Sequence, residues 1–191
     1  MRLNMNRISG MIVFMVVFAL AACVTMGKKT PVDKRQAILD MKNEVLSELY
    51  QLKPDVQSQI NSAPGYAVFS NANIKVIFAS VGGGYGVVKN NKTGKHTYMK
   101  MGELGVGLGL GVKDFRAVFV FHNAETLNHF VTQGWAFGAQ ADAAAKARDQ
   151  GAAVGGAVVA ANITIYQITK NGLALQAMIK GTKYWKDAGL N

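Results

Sequence analysis

The run Gly82-Gly-Gly-Tyr-Gly-Val-Val-Lys-Asn-Asn-Lys-Thr-Gly-Lys-His-Thr-Tyr-Met-Lys100 decides the fold class. Tyr85 to Val88 and His96 to Lys100 have strand composition, and Asn90 to Gly94 between them is a turn by composition, so the segment predicts two antiparallel strands. Working outward, Tyr66 to Phe69 and Lys75 to Ser80 read as strands before it. Gly105 to Val112 and Phe115 to Phe121, joined through Lys113-Asp114, read as strands after it. Asn123 then suits a helix cap, with Ala124 to Val131 as the helix body. Farther on, Trp135 to Gln140 could form a strand, and the Ala-rich 141–147 region a helix or a loop. Residues 151–161 are small and apolar but too few to span a bilayer. Asn162 to Thr169 and Leu173 to Lys180 alternate around Lys170-Asn171-Gly172, a hairpin signal.

Upstream the texture is helical. Thr30-Pro31-Val32-Asp33 supplies a capping residue, Pro at the first helical position and an early acid. Ile38, Met41, Val45, Leu49 and Leu52 follow at steps of three or four, which is one apolar stripe. Pro54 suits the start of a second short helix ending near Pro64-Gly65. The expected class is therefore α+β: N-terminal helices, then a twisted, mostly antiparallel, Gly-rich and half-barrel-like sheet with an inserted helix.

The glycines are periodic. Gly105, Gly107, Gly109 and Gly111 alternate with aliphatic residues, and Gly82, Gly84 and Gly86 repeat the arrangement earlier. Strand side chains alternate faces, so one face of each stripe is bare backbone. Bare faces cost conformational entropy, and something is expected to approach them closely. A neighbouring element of the same fold would do so; so would an acyl chain. Phosphate cradling by G-x-G-x-x-G fails, because Val87 and Leu110 stand where the third glycine is needed.

The chain's start reads as a targeting segment. Arg2 and Arg7 precede a short apolar run from Ile8 to Leu20, and Leu20-Ala21-Ala22 lead into the sole cysteine, Cys23. This pattern resembles the lipobox of bacterial lipoproteins, which implies cleavage before Cys23 and covalent acyl chains on it. Two acyl chains suffice for stable attachment, at about 0.8 kcal/mol per buried methylene. Val24 in place of Asp implies, by the enterobacterial sorting pattern, an outer-membrane lipoprotein facing the periplasm, with the inner membrane and the cell surface left open. The expected division is 1–22 signal peptide, 23–30 lipidated tether and 31–191 a single domain. Cleavage would leave 169 residues carrying 19 Lys and Arg against 11 Asp and Glu, a net charge of +8. Such a chain beside a bilayer is drawn to anionic headgroups. Export and the scattering of its basic residues argue against nucleic acid.

The Gly82-Gly-Gly-Tyr-Gly-Val-Val88 strand and the second glycine stripe running into Lys113-Asp114-Phe115 resemble the SYLF-domain family. The Val118-Phe-Val-Phe-His-Asn-Ala-Glu125 passage and Ile165-Tyr-Gln-Ile-Thr-Lys-Asn-Gly-Leu173 add to the likeness. It covers about two thirds of the chain. The chain departs from the family at His96-Thr-Tyr-Met, where members often have Trp-Ser-x-Pro, and at the Ala-rich 141–147 region, where they often have a Gly-Pro link. What the resemblance implies is membrane-lipid association, with no particular headgroup.

Catalytic signatures are sparse. No Gly-x-Ser-x-Gly elbow or His-Glu-x-x-His pair occurs. His122, Glu125 and His129 would share a helix face, as a metal site needs, only if the helix reached back to His122, which fits better in the preceding strand. Trp135 and Trp185 read as core or interfacial anchors. The expectation is a non-catalytic, lipid-binding lipoprotein with no cofactor beyond its acyl chains. Its candidate lipid contacts are Gly105, Gly107, Gly109, Gly111, Lys113, Arg116, Lys180 and Lys183. An envelope-protein partner bound by a structural module is the alternative, and a metal-dependent hydrolase on the two histidines a third.

Overall fold

Pro31–Leu52 forms helix α1 in a computed structural model that describes residues 30–70, 83–103, 116–136, 153–154, 157–160, 162–169, 172–174 and 182–191. Pro31 opens α1 where a missing N–H costs nothing, and Pro54 lies just beyond its end because the residue before a proline disfavours the helical region. Ile38, Met41, Val45 and Leu49 are buried as their spacing requires, and Leu46 joins them. Leu52, the last member of the expected stripe, is instead 44% exposed in the final turn. Val56–Ser62 forms α2.

The strands among the described residues are β1 (Gly65–Ser70), β2 (Gly83–Asn90), β3 (His96–Glu103), β4 (Arg116–Phe121), β5 (Trp135–Ala136), β6 (Ala153–Val154), β7 (Ala157–Ala160), β8 (Ile163–Thr169), β9 (Gly172–Ala174) and β10 (Thr182–Lys186). Helix α3 (Ala124–Gln133) lies between β4 and β5. All described pairings are antiparallel, in the order β5-β10-β3-β2-β1-β4-β8-β7-β6, with β9 also on β8. The fold is α+β with a curled, half-barrel-like sheet. The stretch 151–161, read as small and apolar with no assigned element, carries β6 and β7. The expected 75–80 and 105–112 strands lie outside the described residues.

Two cores flank the sheet. On β1, Tyr66 and Val68 join α1 and α2, whereas Ala67 and Phe69 join Leu127 and Phe130 of α3. Adjacent strand residues point to opposite faces, so α1 and α2 cover one face and α3 the other. All six residues of β1 are buried, which explains why its sequence is a continuous apolar run and not an alternation. Phe69, Phe119, Phe130 and Tyr184 make an aromatic cluster on the α3 side, with edge contacts such as Phe69–Tyr184 at 4.6 Å between centroids.

Local chemistry joins these layers. Asn123 caps α3 by accepting from the Thr126 N–H at 2.7 Å, as its position predicts. Gly134 ends α3 at φ 74, a left-handed conformation, and a Cβ there would meet the Tyr184 carbonyl. In the β2–β3 turn, Asn91 Nδ2 donates to the Ile60 and Ala63 carbonyls at 2.7 and 2.9 Å, closing the end of α2. The last residues fold back on β3: Asn191 Oδ1 accepts from the Tyr98 N–H at 3.0 Å and its Nδ2 donates to the Tyr98 carbonyl at 2.8 Å. The Asp187 N–H donates to the same carbonyl at 3.0 Å, so the side-chain amide and the backbone just after β10 together continue the pairing along β3.

Candidate functional site

Helix α1 packs over β2, β1 and β4. On the same sheet face, β3 and β10 carry a different set of side chains. In Thr182-Lys-Tyr-Trp-Lys186, Thr182 and Tyr184 are buried while Lys183, Trp185 and Lys186 are exposed. The alternation sends Tyr184 into the α3-side core and leaves Lys183 and Trp185 on the opposite face. Tyr184 is completely buried, and that burial pushes its hydroxyl far above the ordinary tyrosine range.

Trp185 is 38% exposed, one of three large apolar side chains so open among the described residues. Its ring lies over Gly102 of β3: a Cβ at Gly102 would stand 3.0 Å from Cη2 and 3.4 Å from Cζ3. Register places Lys183 opposite Gly102, and Trp185 opposite Lys100. Lys100 pairs with the largely buried Asp187 at 3.4 Å, and Lys183 shares the face of Trp185, whereas the alternation places Lys186 on the face of Tyr184. A flat amphipathic ring seated on bare backbone, with Lys183 and Lys100 on the same face, is suited to a boundary that is apolar on one side and anionic on the other.

The residues singled out as candidate lipid contacts are distributed differently. Lys183 belongs to this surface. Arg116 opens β4, three strands from β10, and its guanidinium pairs with Glu48 of α1. Gly105, Gly107, Gly109, Gly111, Lys113 and Lys180 lie outside the described residues, as does Cys23. In the earlier glycine run, Gly84 and Gly86 face the α3-side core, and the protein's own side chains occupy the space. A Cβ at Gly84 would be 2.8 Å from Met101 Cγ, and one at Gly86 would strike the Phe69 ring and the Val68 carbonyl.

His122, Glu125 and His129 go separate ways. His122 falls just after β4, with its Nε2 2.6 Å from Thr164 Oγ1, and Glu125 is exposed in the first turn of α3. His129 stacks edge-on against Trp135 at 5.6 Å. Among the described residues no three His, Cys, Asp or Glu side chains are placed to hold a metal. No described helix is long and apolar enough to cross a membrane.

The chain is similar to the Beta cell expansion factor A of Aeromonas veronii. Identity is 37% over 162 residues, which is 85% of this chain and 60% of that protein, so the chain spans about three fifths of its relative's length. No family model matches the chain.

Sequence reading missed β10, and with it the seat of Trp185. Five residues with two lysines, only two of them large and apolar, carry little strand signal of their own. Only the pairing with β3 makes them a strand.

Proposed function

We propose that the chain is a SYLF-like, non-catalytic lipoprotein of the bacterial envelope, anchored through acyl chains on Cys23 and associating with anionic membrane lipid through its folded domain. The observation that carries this reading is Trp185 lying on Gly102, with Lys183 and Lys100 on the same face of the sheet. Indole rings favour the headgroup level of a bilayer, and each cation near an anionic surface adds about 1 kcal/mol. The Leu20-Ala-Ala-Cys23 sequence supports the same placement, since an acylated cysteine would keep the domain beside a membrane.

Co-sedimentation of residues 24–191 with phosphatidylcholine vesicles, with and without phosphatidylglycerol, tests the proposal. Binding to the anionic vesicles that weakens at high salt is expected. Substituting Lys183→Glu should lower partitioning about fivefold or more, on the basis of about 1 kcal/mol per charge. Absence of binding to either vesicle would overturn it and leave the alternative, a module that binds another envelope protein. The filling of Gly84 and Gly86 by Met101 and Phe69 favours that alternative only in showing these glycines to be architectural.

A further inference from the structure

A second cationic cluster lies at the other end of β3. His96 and Lys89 are register partners across β3 and β2. Both belong to the sheet face covered by α1, since Val87 and Tyr98, two residues along each strand, are in the core that α1 helps to form. Lys42 of α1 approaches the same place: its charge acts on His96, and that of Lys89 acts on both. All three side chains are partly buried. His96 Nε2 is closed off from solvent and has no hydrogen-bond partner.

Among the described residues, no carboxylate stands at the positions that neighbour these groups along α1, β2 and β3. Lys42 has Ile38, Leu39, Val45 and Leu46 at its helical neighbour positions, so no acid on α1 can reach it by the usual spacing. Asp40 is turned to Gln36, whose Nε2 donates to it at 2.8 Å. Along the strands, the same-face neighbours are Val87 and Asn91 for Lys89, and Gly94 and Tyr98 for His96. Tyr66 lies across β1 from Lys89. The charges acting on His96 and Lys42 are therefore cationic from each element packed against them, α1 and β2. Two ammonium groups beside an unpartnered imidazole in a partly dehydrated place repel each other and oppose protonation of the ring unless an anion joins them.

We propose that Lys42, Lys89 and His96 form a binding site for a phosphate-class oxyanion, either free or as the headgroup of a lipid. The two ammonium groups supply charge, and the protonated imidazole supplies a further donor. His96 is held below the ordinary imidazole range, chiefly by burial and then by Lys42 and Lys89. A bound phosphate anion favours the protonated ring, so binding raises the proton affinity of His96. This site is separate from the Trp185 surface, since His96 and Lys100 are four residues apart along β3, roughly 13 Å at 3.3 Å per residue.

The test uses the full chain in non-ionic detergent, titrated with inorganic phosphate against chloride of equal ionic strength, with His96 followed by imidazole NMR. Phosphate should raise the His96 pKa above its value in chloride. Lys42→Gln with Lys89→Gln should abolish the response, whereas Trp185→Ala should leave it intact. The Trp185→Ala arm separates failure of this site from failure of the lipid-surface reading. A second arm replaces phosphate with detergent micelles doped with phosphatidic acid. A response to micelles alone assigns the site to a lipid headgroup, and a response to inorganic phosphate assigns it to a free anion. If neither ligand moves His96 more than chloride does, or if the Lys42→Gln, Lys89→Gln protein responds equally, the proposal is wrong.

Discussion

Gly86→Ala tests whether the first glycine stripe is a seat for the protein's own core. A Cβ at residue 86 would run into the Phe69 ring and the Val68 carbonyl, and Phe69 is fully buried among Phe119, Phe130 and Tyr184. Alanine in a strand gains about 0.5–1 kcal/mol over glycine by restricting the unfolded chain. Overpacking a filled core costs about 1–3 kcal/mol, and a backbone carbonyl cannot swing away as a side chain can. The net expectation is a loss of about 2 kcal/mol. With a urea slope of about 2 kcal/mol per molar, the unfolding midpoint should fall by about 1 M at unchanged slope. Phe69→Leu removes the ring contact but leaves the Val68 carbonyl. A double-mutant cycle should therefore show favourable coupling of about 0.5–3 kcal/mol without restoring full stability. If Gly86→Ala leaves the midpoint unchanged or raises it, the bare face is not filled by Phe69. A seat for an external ligand would then regain force.

Further outcomes follow from other contacts. Asn191→Ala removes both partners that its amide gives the Tyr98 backbone, and should cost about 1–3 kcal/mol in urea unfolding. An unchanged midpoint would mean that solvent replaces the amide. Phe130→Ala should cost about 3–5 kcal/mol, because Phe130 is fully buried against the rings of Phe69, Phe119, Phe121 and Tyr184. For pH, the unfolded chain protonates His96 near the ordinary value of about 6.5, where the folded chain still resists it. Stability from this group is thus present above that value and is lost as pH falls toward the lowered folded value. His96→Gln should flatten the urea midpoint between pH 7.5 and 5, and an unchanged pH profile would refute the assignment. Tyr66 is pushed up to about 12, first by burial and then by Tyr50. Its contribution is complete below pH 10 and is lost above it, so Tyr66→Phe should reduce alkaline destabilisation in that window.

Local signals in the sequence determined much of this protein. Pro31 and the 38–49 stripe set α1, Asn123 set the start of α3, and the Asn-rich turn set the β2–β3 hairpin, because caps, periodicity and turn chemistry act over a few residues. The pattern ending at Cys23, on which the proposed export and acylation rest, is equally local and needs no knowledge of the fold. Tertiary structure alone decided the rest. The bareness of Gly84 and Gly86 has meaning only once Met101 and Phe69 are known to lie across them. Thr182-Lys-Tyr-Trp-Lys186 became a strand by pairing with β3, and so gave Trp185 its seat on Gly102, 83 positions earlier in the chain. Lys42, Lys89 and His96 share no motif. They meet because α1 packs across β2, and the energy of like charges depends on distance in space, which sequence separation does not reveal.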